Sequence, residues 1–247
     1  MFFDPYFDIV IVTVTAFAAS ALTALIGAGG GTALLLVMIF FVPASHVIAV
    51  HGCIQLVSNT SRVILFWRHM SWPIIWRFIC LMPIGVYIGL QLVNLLAPTG
   101  IQLTIAIGIL LTLFIKAPAT SDHARYPKSI YYIVGLFIGA ANVLVGVLSP
   151  LLGAILRLEP LSKEQRVGTL GFFGFAGNLY KIIGFSFIGF AFFEYLPLII
   201  SASIATIIGS ILGKTLLGKI SQGTYEHIFK IMLACLAVII ILKTQIT

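Results

Sequence analysis

The sequence predicts an all-α, polytopic membrane protein made of two inverted repeats. Each repeat has about five hydrophobic segments, read as three full spans plus a broken or re-entrant helix pair. Three observations predict this. Of the 247 residues, 60% are hydrophobic and 9% are charged, whereas a soluble domain carries about 25% charged residues. The apolar runs cluster near the ~20 residues a helix needs to cross a ~30 Å hydrocarbon core. Landmarks of the first half recur in the second.

Composition also excludes classes of function. An ordinary globular enzyme, a disordered chain and a typical nucleic-acid binder all need more charge than this. The net charge of +7 comes from 14 scattered Lys and Arg. They form no basic run, so they are read as setting orientation in a membrane and not as holding nucleic acid. Cys53, Cys80 and Cys235 lie inside apolar stretches without metal-ligand spacing and are read as small buried hydrophobes. His46 and His51 lack further ligands, so no metal is expected. The chain has no GxxxxGK[ST] phosphate loop, and no cofactor is expected. The acidic start MFFDPYFD lacks the positive region of a signal peptide, so the first apolar run is expected to be a retained helix.

That first run, Asp8 to Val42, is too long for one crossing. Gly27-Ala28-Gly29-Gly30-Gly31 divides it into segments at about 8–26 and 31–42, the second shorter than a span. Pro43 marks a turn. A third segment at about 46–67 ends on Trp67-Arg68-His69, an aromatic and basic interfacial flank. The fourth and fifth fall at about 73–96 and 101–116. The polar stretch after Lys116 is read as a linker, giving repeats at 1–116 and 129–247 around a cytoplasmic linker at 117–128.

The second half repeats this layout at about 129–148, 149–158, 167–190, 196–213 and 225–243. Glu159-Pro160 stands where Pro43 stood, and Arg157, Lys163, Glu164 and Arg166 around it are read as a solvated cytoplasmic loop. Asn59 and Arg62 match Asn178 and Lys181, Pro73 matches Pro197, and Gly85 and Gly89 match Gly209 and Gly213. Duplication of this size is a transporter signature. The basic bias moves from the 68–72 loop in the first copy to the 214–222 loop in the second. An odd number of crossings per copy explains the switch. The positive-inside rule then puts both termini outside and the linker inside.

Several residues could carry chemistry. Four glycines in five residues open the helix, at roughly 1 kcal/mol each relative to Ala. A membrane tolerates this only where protein or a water-filled cavity covers the freed amides. Gly29, Gly30, Gly31 and Thr32 would then present N–H groups at a helix start, which favours an anion; the competing reading is close helix packing. Ser149 suits an N-cap and Pro150 a first turn, so a second broken helix is expected there. In the third segment His51, Gln55, Ser58, Asn59 and Arg62 share one helix face, which should look inward. Arg62 either balances an anion or snorkels toward Trp67. The matching face in the second half holds Gly171, Gly174, Asn178 and Lys181. Lys181 could carry a proton or hold an anion. No acidic residue lies mid-segment, which argues for an anionic cargo. Gly85, Gly89, Gly209 and Gly213 are read as packing positions.

These features together resemble the TauE/SafE family of sulfite and organosulfonate transporters. The resemblance is carried by the Gly27–Gly31 joint, Pro43-Ala44-Ser45, Leu56 through Arg62, Trp72-Pro73 and the Gly85/Gly89 helix. The chain departs from the family pattern at Leu34-Leu35-Leu36 and at Gly146-Val147-Leu148-Ser149-Pro150. The resemblance implies movement of sulfite or a small sulfonate across the cytoplasmic membrane, usually outward. A passive anion channel and a transporter of another small sulfur-containing or carboxylate anion remain as alternatives. The partners expected are the small anion and the lipid bilayer, with no nucleic acid.

Overall fold

The computed structural model describes residues 5–26, 29–113, 127–146 and 149–216. Most of the expected linker, the 225–243 segment and Cys235 lie outside the described residues. Those described form helices joined by short turns: α1 (Pro5–Ile26), α2 (Gly30–Met38), α3 (Ala44–Phe66), α4 (Trp72–Val93), α5 (Pro98–Leu113), α6 (Ile130–Val145), α7 (Ser149–Arg157), α8 (Lys163–Phe187) and α9 (Leu196–Thr215). No strand occurs among the described residues.

Segments at 6–25, 72–93 and 192–215 are long and apolar enough to cross a membrane. On α9, Ile200, Ile204, Ile208 and Ile211 recur every three or four residues and are about half exposed. Such an exposed apolar stripe suits a lipid-facing surface, where it costs nothing. Helices α3 and α8 are as long but carry the polar face, and they fall outside that set.

Close backbone approach fixes how the helices run. A Cβ at Gly85 would sit 2.0 Å from the Leu136 carbonyl, and one at Gly89 2.6 Å from that of Ala140. Both numbers rise together, so α4 and α6 are parallel. In the other half, Gly209 and Gly213 would meet the carbonyls of Phe17 and Ala21 at 2.3 and 2.1 Å, so α9 lies parallel to α1. Lipid is as apolar as Leu, so tight backbone contact replaces hydrophobic burial as the force between such helices. The four glycines are the packing positions that the sequence predicts. Helix α3 also runs with α9: His46 pairs with Tyr195 at one end, and the Lys214 ammonium donates to the Leu65 carbonyl at the other. Helices α3 and α8 are antiparallel, with Gly168 against Phe66 and Gly52 against Lys181. So α1, α3 and α9 run one way, and α4, α6 and α8 the other. Each matched pair of the two halves, α1 with α6, α3 with α8 and α4 with α9, runs in opposite directions.

A polar node ties one side together. Ser20 Oγ donates to the Thr206 carbonyl at 2.7 Å and lies 2.7 Å from Ser210 Oγ and 3.0 Å from Ser58 Oγ. At the end of α3, Trp67 packs edge-on against Trp72, which stacks on Trp76, with Arg68 and His69 exposed beside them.

Two expectations are corrected. Lys163, Glu164 and Arg166 belong to the first turn of α8 and not to a loop. Ser162 caps that turn by accepting from the Gln165 amide, and Gln165 Oε1 accepts in return from the Ser162 amide. This capping box satisfies two end amides and starts the helix before its apolar part. Cys80 is exposed on α4 and Cys53 is half-buried. A small apolar side chain can face lipid as readily as a core.

Candidate anion-binding site

Helices α3 and α8 cross at the centre, and glycine on one makes room for a long polar side chain on the other. A Cβ at Gly171 would lie 3.2 Å from Arg62 Cβ, and one at Gly52 would lie 3.4 Å from Lys181 Cε. A Cβ at Gly174 would collide with the Asn59 amide at 2.5 Å. The arrangement is reciprocal: each cation lies across a glycine of the facing helix. Arg62 is 4% exposed and its Nη2 donates to Asn59 Oδ1. It points inward, which disposes of the snorkelling alternative. Lys181 is fully buried.

Both chain breaks approach this crossing. Gly29, before α2, has φ 104° and ψ −36°; Gly146, after α6, has φ 83° and ψ −36°. Only glycine adopts such angles without strain. A side chain of the same half reaches each joint. His51 Nε2 bonds the Gly31 carbonyl at 2.9 Å, and Lys181 Nζ donates to the Gly146 carbonyl at 3.2 Å. The Lys181 bond satisfies a carbonyl that the end of α6 leaves open, and the His51 bond ties α3 to the first turn of α2.

A cavity of about 40 Å³ lies between the helices. From α3, His51, Gln55, Asn59 and Arg62 line it; from α8, Phe173, Gly174 and Asn178 do. Asn142 and Gly146 close it from α6. No Asp or Glu lines it among the described residues. Several lining polar atoms are buried without a partner among the described residues: His51 Nδ1, Arg62 Nε and Asn178 Oδ1. A buried polar atom without a partner costs ~1–3 kcal/mol, so such a cluster marks a place where a polar ligand would supply the missing bonds.

Of the residues expected at a site, His51, Gln55, Asn59, Arg62 and Asn178 come together here, with Lys181 reaching it through Gly146. The glycine joint stands behind them and does not line the cavity. The Thr32 and Ala33 amides are spent on the Gly29 carbonyl at 3.0 and 3.2 Å. A Cβ at Gly30 would sit 1.8 Å from the Ala19 carbonyl, so Gly30 is a packing glycine. Gly31 touches the site indirectly, because a Cβ there would press on the Gln55 amide at 3.2 Å. Thr32 Oγ1 is buried without a partner among the described residues. Ser149 and Pro150 are the first residues of α7, so Ser149 opens the helix and does not precede it.

Sequence reasoning missed Asn142. Its signal was available: one Asn within an apolar helix, four residues before the glycine that ends it. Its carbonyl accepts the Gly146 amide at 3.0 Å, so it supports the joint as well as lining the cavity. It also missed Gly52, and it placed Gly171 on the inward face without its use; both show their use only once α3 and α8 are seen to face each other.

A second cavity, of about 480 Å³, opens at the far end of α3, bounded by His46, Val93, Phe185, Phe190 and Glu194. His46 Nδ1 lies 2.7 Å from the Tyr195 hydroxyl at its edge. Ile48 and Phe185 line it, and both are buried. They stand one helical turn from His51 and Lys181.

No curated protein and no solved structure matches the chain. The profile of the family described as Sulfite exporter TauE/SafE matches residues 12–243. That span takes in both joints, both polar helices and the cavity between them, and the chain belongs to the TauE/SafE sulfite exporter family, a family of membrane transporters of sulfur anions.

Proposed function

We propose that this chain is a secondary transporter that carries sulfite or a small organosulfonate outward across the cytoplasmic membrane. The observation that carries the reading is the central cavity. It is buried, contributed by both halves, flanked by Arg62 and Lys181, and lined by no carboxylate among the described residues. Unpaired buried cations are costly, and an anion between them offsets that cost. Asn59 and Asn178 act as hydrogen-bonding ligands. Arg62 and Lys181 supply positive potential, while Gly29, Gly30, Gly31, Thr32, Ser149 and Pro150 shape the joints around it. About 40 Å³ suits a compact oxyanion better than a long sulfonate. A small cavity also favours a carrier over a wide channel.

In this reading residues 1–116 and 129–247 are two inverted repeats around a cytoplasmic linker at 117–128, with both termini outside. The opposed directions of matched helices support it. Alternating access then rocks one repeat against the other around the central site. The 480 Å³ cavity serves as the outer vestibule, closed from the site by Ile48 and Phe185. Export of a monoanion from a negative-inside cell is favoured by ~2.3 kcal/mol per 100 mV, so no ATP is needed.

The test is a substrate panel on the purified chain in proteoliposomes: sulfite, sulfate, taurine, sulfoacetate, phosphonate and chloride. Saturable exchange of sulfite or a sulfonate is expected. Flux of chloride alone, or flux that does not saturate, contradicts the proposal.

A further inference from the structure

We infer that the central site is built for an oxyanion that still carries a proton, such as hydrogen sulfite, in preference to a bare oxyanion of the same shape. The inference rests on the reading of this cavity as a sulfur-oxyanion site and narrows its substrate class.

The polar atoms left without a partner at the cavity include more than donors. Asn178 Nδ2 donates to the Gly174 carbonyl at 2.8 Å. A carbonyl only accepts, so that bond fixes which way the amide points. The atom without a partner is therefore the oxygen, Asn178 Oδ1, an acceptor. The same logic applies to His51. Nε2 faces the Gly31 carbonyl at 2.9 Å and must hold the proton. In the neutral ring the unpartnered Nδ1 is then an acceptor as well. Against these two, the donor buried without a partner among the described residues is Arg62 Nε, and Asn59 Nδ2 is a further donor on the cavity lining, since Asn59 Oδ1 already accepts from Arg62.

A site for a bare oxyanion needs donors alone. Negative oxygens placed against Asn178 Oδ1 and His51 Nδ1 would meet lone pairs and leave both acceptors unsatisfied. An oxyanion with one hydroxyl meets the donors and one of the two acceptors. Its unprotonated oxygens take the Arg62 N–H and the positive potential of Lys181, and its O–H donates to Asn178 Oδ1. Asn178 is 6% exposed and His51 is fully buried, so bulk water cannot supply the missing donor. Charge does not decide the matter, because Arg62 and Lys181 can balance one negative charge or two. The acceptors decide it.

The titratable and charged groups facing the cavity are His51 and Arg62 from α3, with Lys181 from α8 behind Gly146 and Cys53 of α3 near Lys181. Helix α4 contributes Met82, α6 Ile138 and Asn142, and α7 Leu152, none of which titrates. The experiment is therefore run at one neutral pH, where those groups do not change between its arms.

Uptake of radiolabelled sulfite by the full chain in proteoliposomes is competed with selenite, which carries a proton at that pH, and with chlorate. Chlorate is pyramidal and isoelectronic with sulfite but has no proton to give. Selenite is expected to compete at about tenfold lower concentration than chlorate, or better. Asn178→Leu should bring that ratio toward one, whereas a purely structural effect would lower uptake and leave the ratio unchanged. Equal competition in the wild-type chain overturns the inference, even if the variant does not fold. So does a folded Asn178→Leu protein that keeps the full ratio. Absence of sulfite uptake by the wild-type chain is a separate result, which overturns the proposed function and this inference with it.

Discussion

The Lys181 ammonium donates to the Gly146 carbonyl at 3.2 Å, at the left-handed glycine where α6 ends. A buried cation thus braces a break in the chain, and no carboxylate lines the neighbouring cavity among the described residues. Such a cation is a liability to the fold unless a ligand repays it. That contrast separates function from stability.

Lys181→Met should therefore reduce sulfite flux at least about tenfold while changing the melting temperature little, because relief of an unpaired buried charge offsets the lost bond to the Gly146 carbonyl. Flux and thermal unfolding measured on the same preparation check this. A variant that loses stability in proportion to flux would make Lys181 a structural residue.

The glycines facing the cations test the crossing of α3 and α8. Gly171→Ala puts a methyl 3.2 Å from Arg62 Cβ, and Gly52→Ala puts one 3.4 Å from Lys181 Cε. The first contact is tight but bearable, and the second is at the lower edge of ordinary van der Waals contact. Each should raise the half-saturating sulfite concentration several-fold while the protein still folds, since about 1 kcal/mol of displacement is worth roughly fivefold in affinity. Saturation curves read the effect.

Gly85→Leu and Gly209→Leu should behave differently. Their Cβ atoms would sit 2.0 and 2.3 Å from backbone carbonyls of α6 and α1, which cannot yield as a flexible side chain can. Loss of monodisperse protein on size exclusion is expected for both. Gly30→Leu belongs with them, because its Cβ would meet the Ala19 carbonyl at 1.8 Å.

The proposed topology rests on the opposed helix directions and the positive-inside rule. With Cys53, Cys80 and Cys235 replaced, single cysteines placed at 117–127 should react with an impermeant maleimide only from the cytoplasmic side. Labelling of intact cells from outside would reverse the orientation.

Much of this was legible in the sequence because membranes impose simple rules. Apolar runs, a glycine break and Pro43 predict α1, α2 and α3 within a few residues. The spacing of His51, Gln55, Asn59 and Arg62 puts them on one face, and the structure turns that face inward. Less legible was which glycine does what. Gly29, Gly30 and Gly31 look alike in the chain, yet one takes a left-handed turn, one packs on Ala19 and one clears space for Gln55. That depends on which neighbours approach, and only the packed helices supply them. Asn142 escaped notice because one polar residue in an apolar helix carries no periodic signal.

The most direct measurement is sulfite counterflow in proteoliposomes, comparing the wild-type chain with the Asn59→Ala/Asn178→Ala double variant, both shown to be monodisperse. Transient accumulation of label is expected with the wild type and none with the double variant. Wild-type counterflow through the double variant would contradict the proposed site.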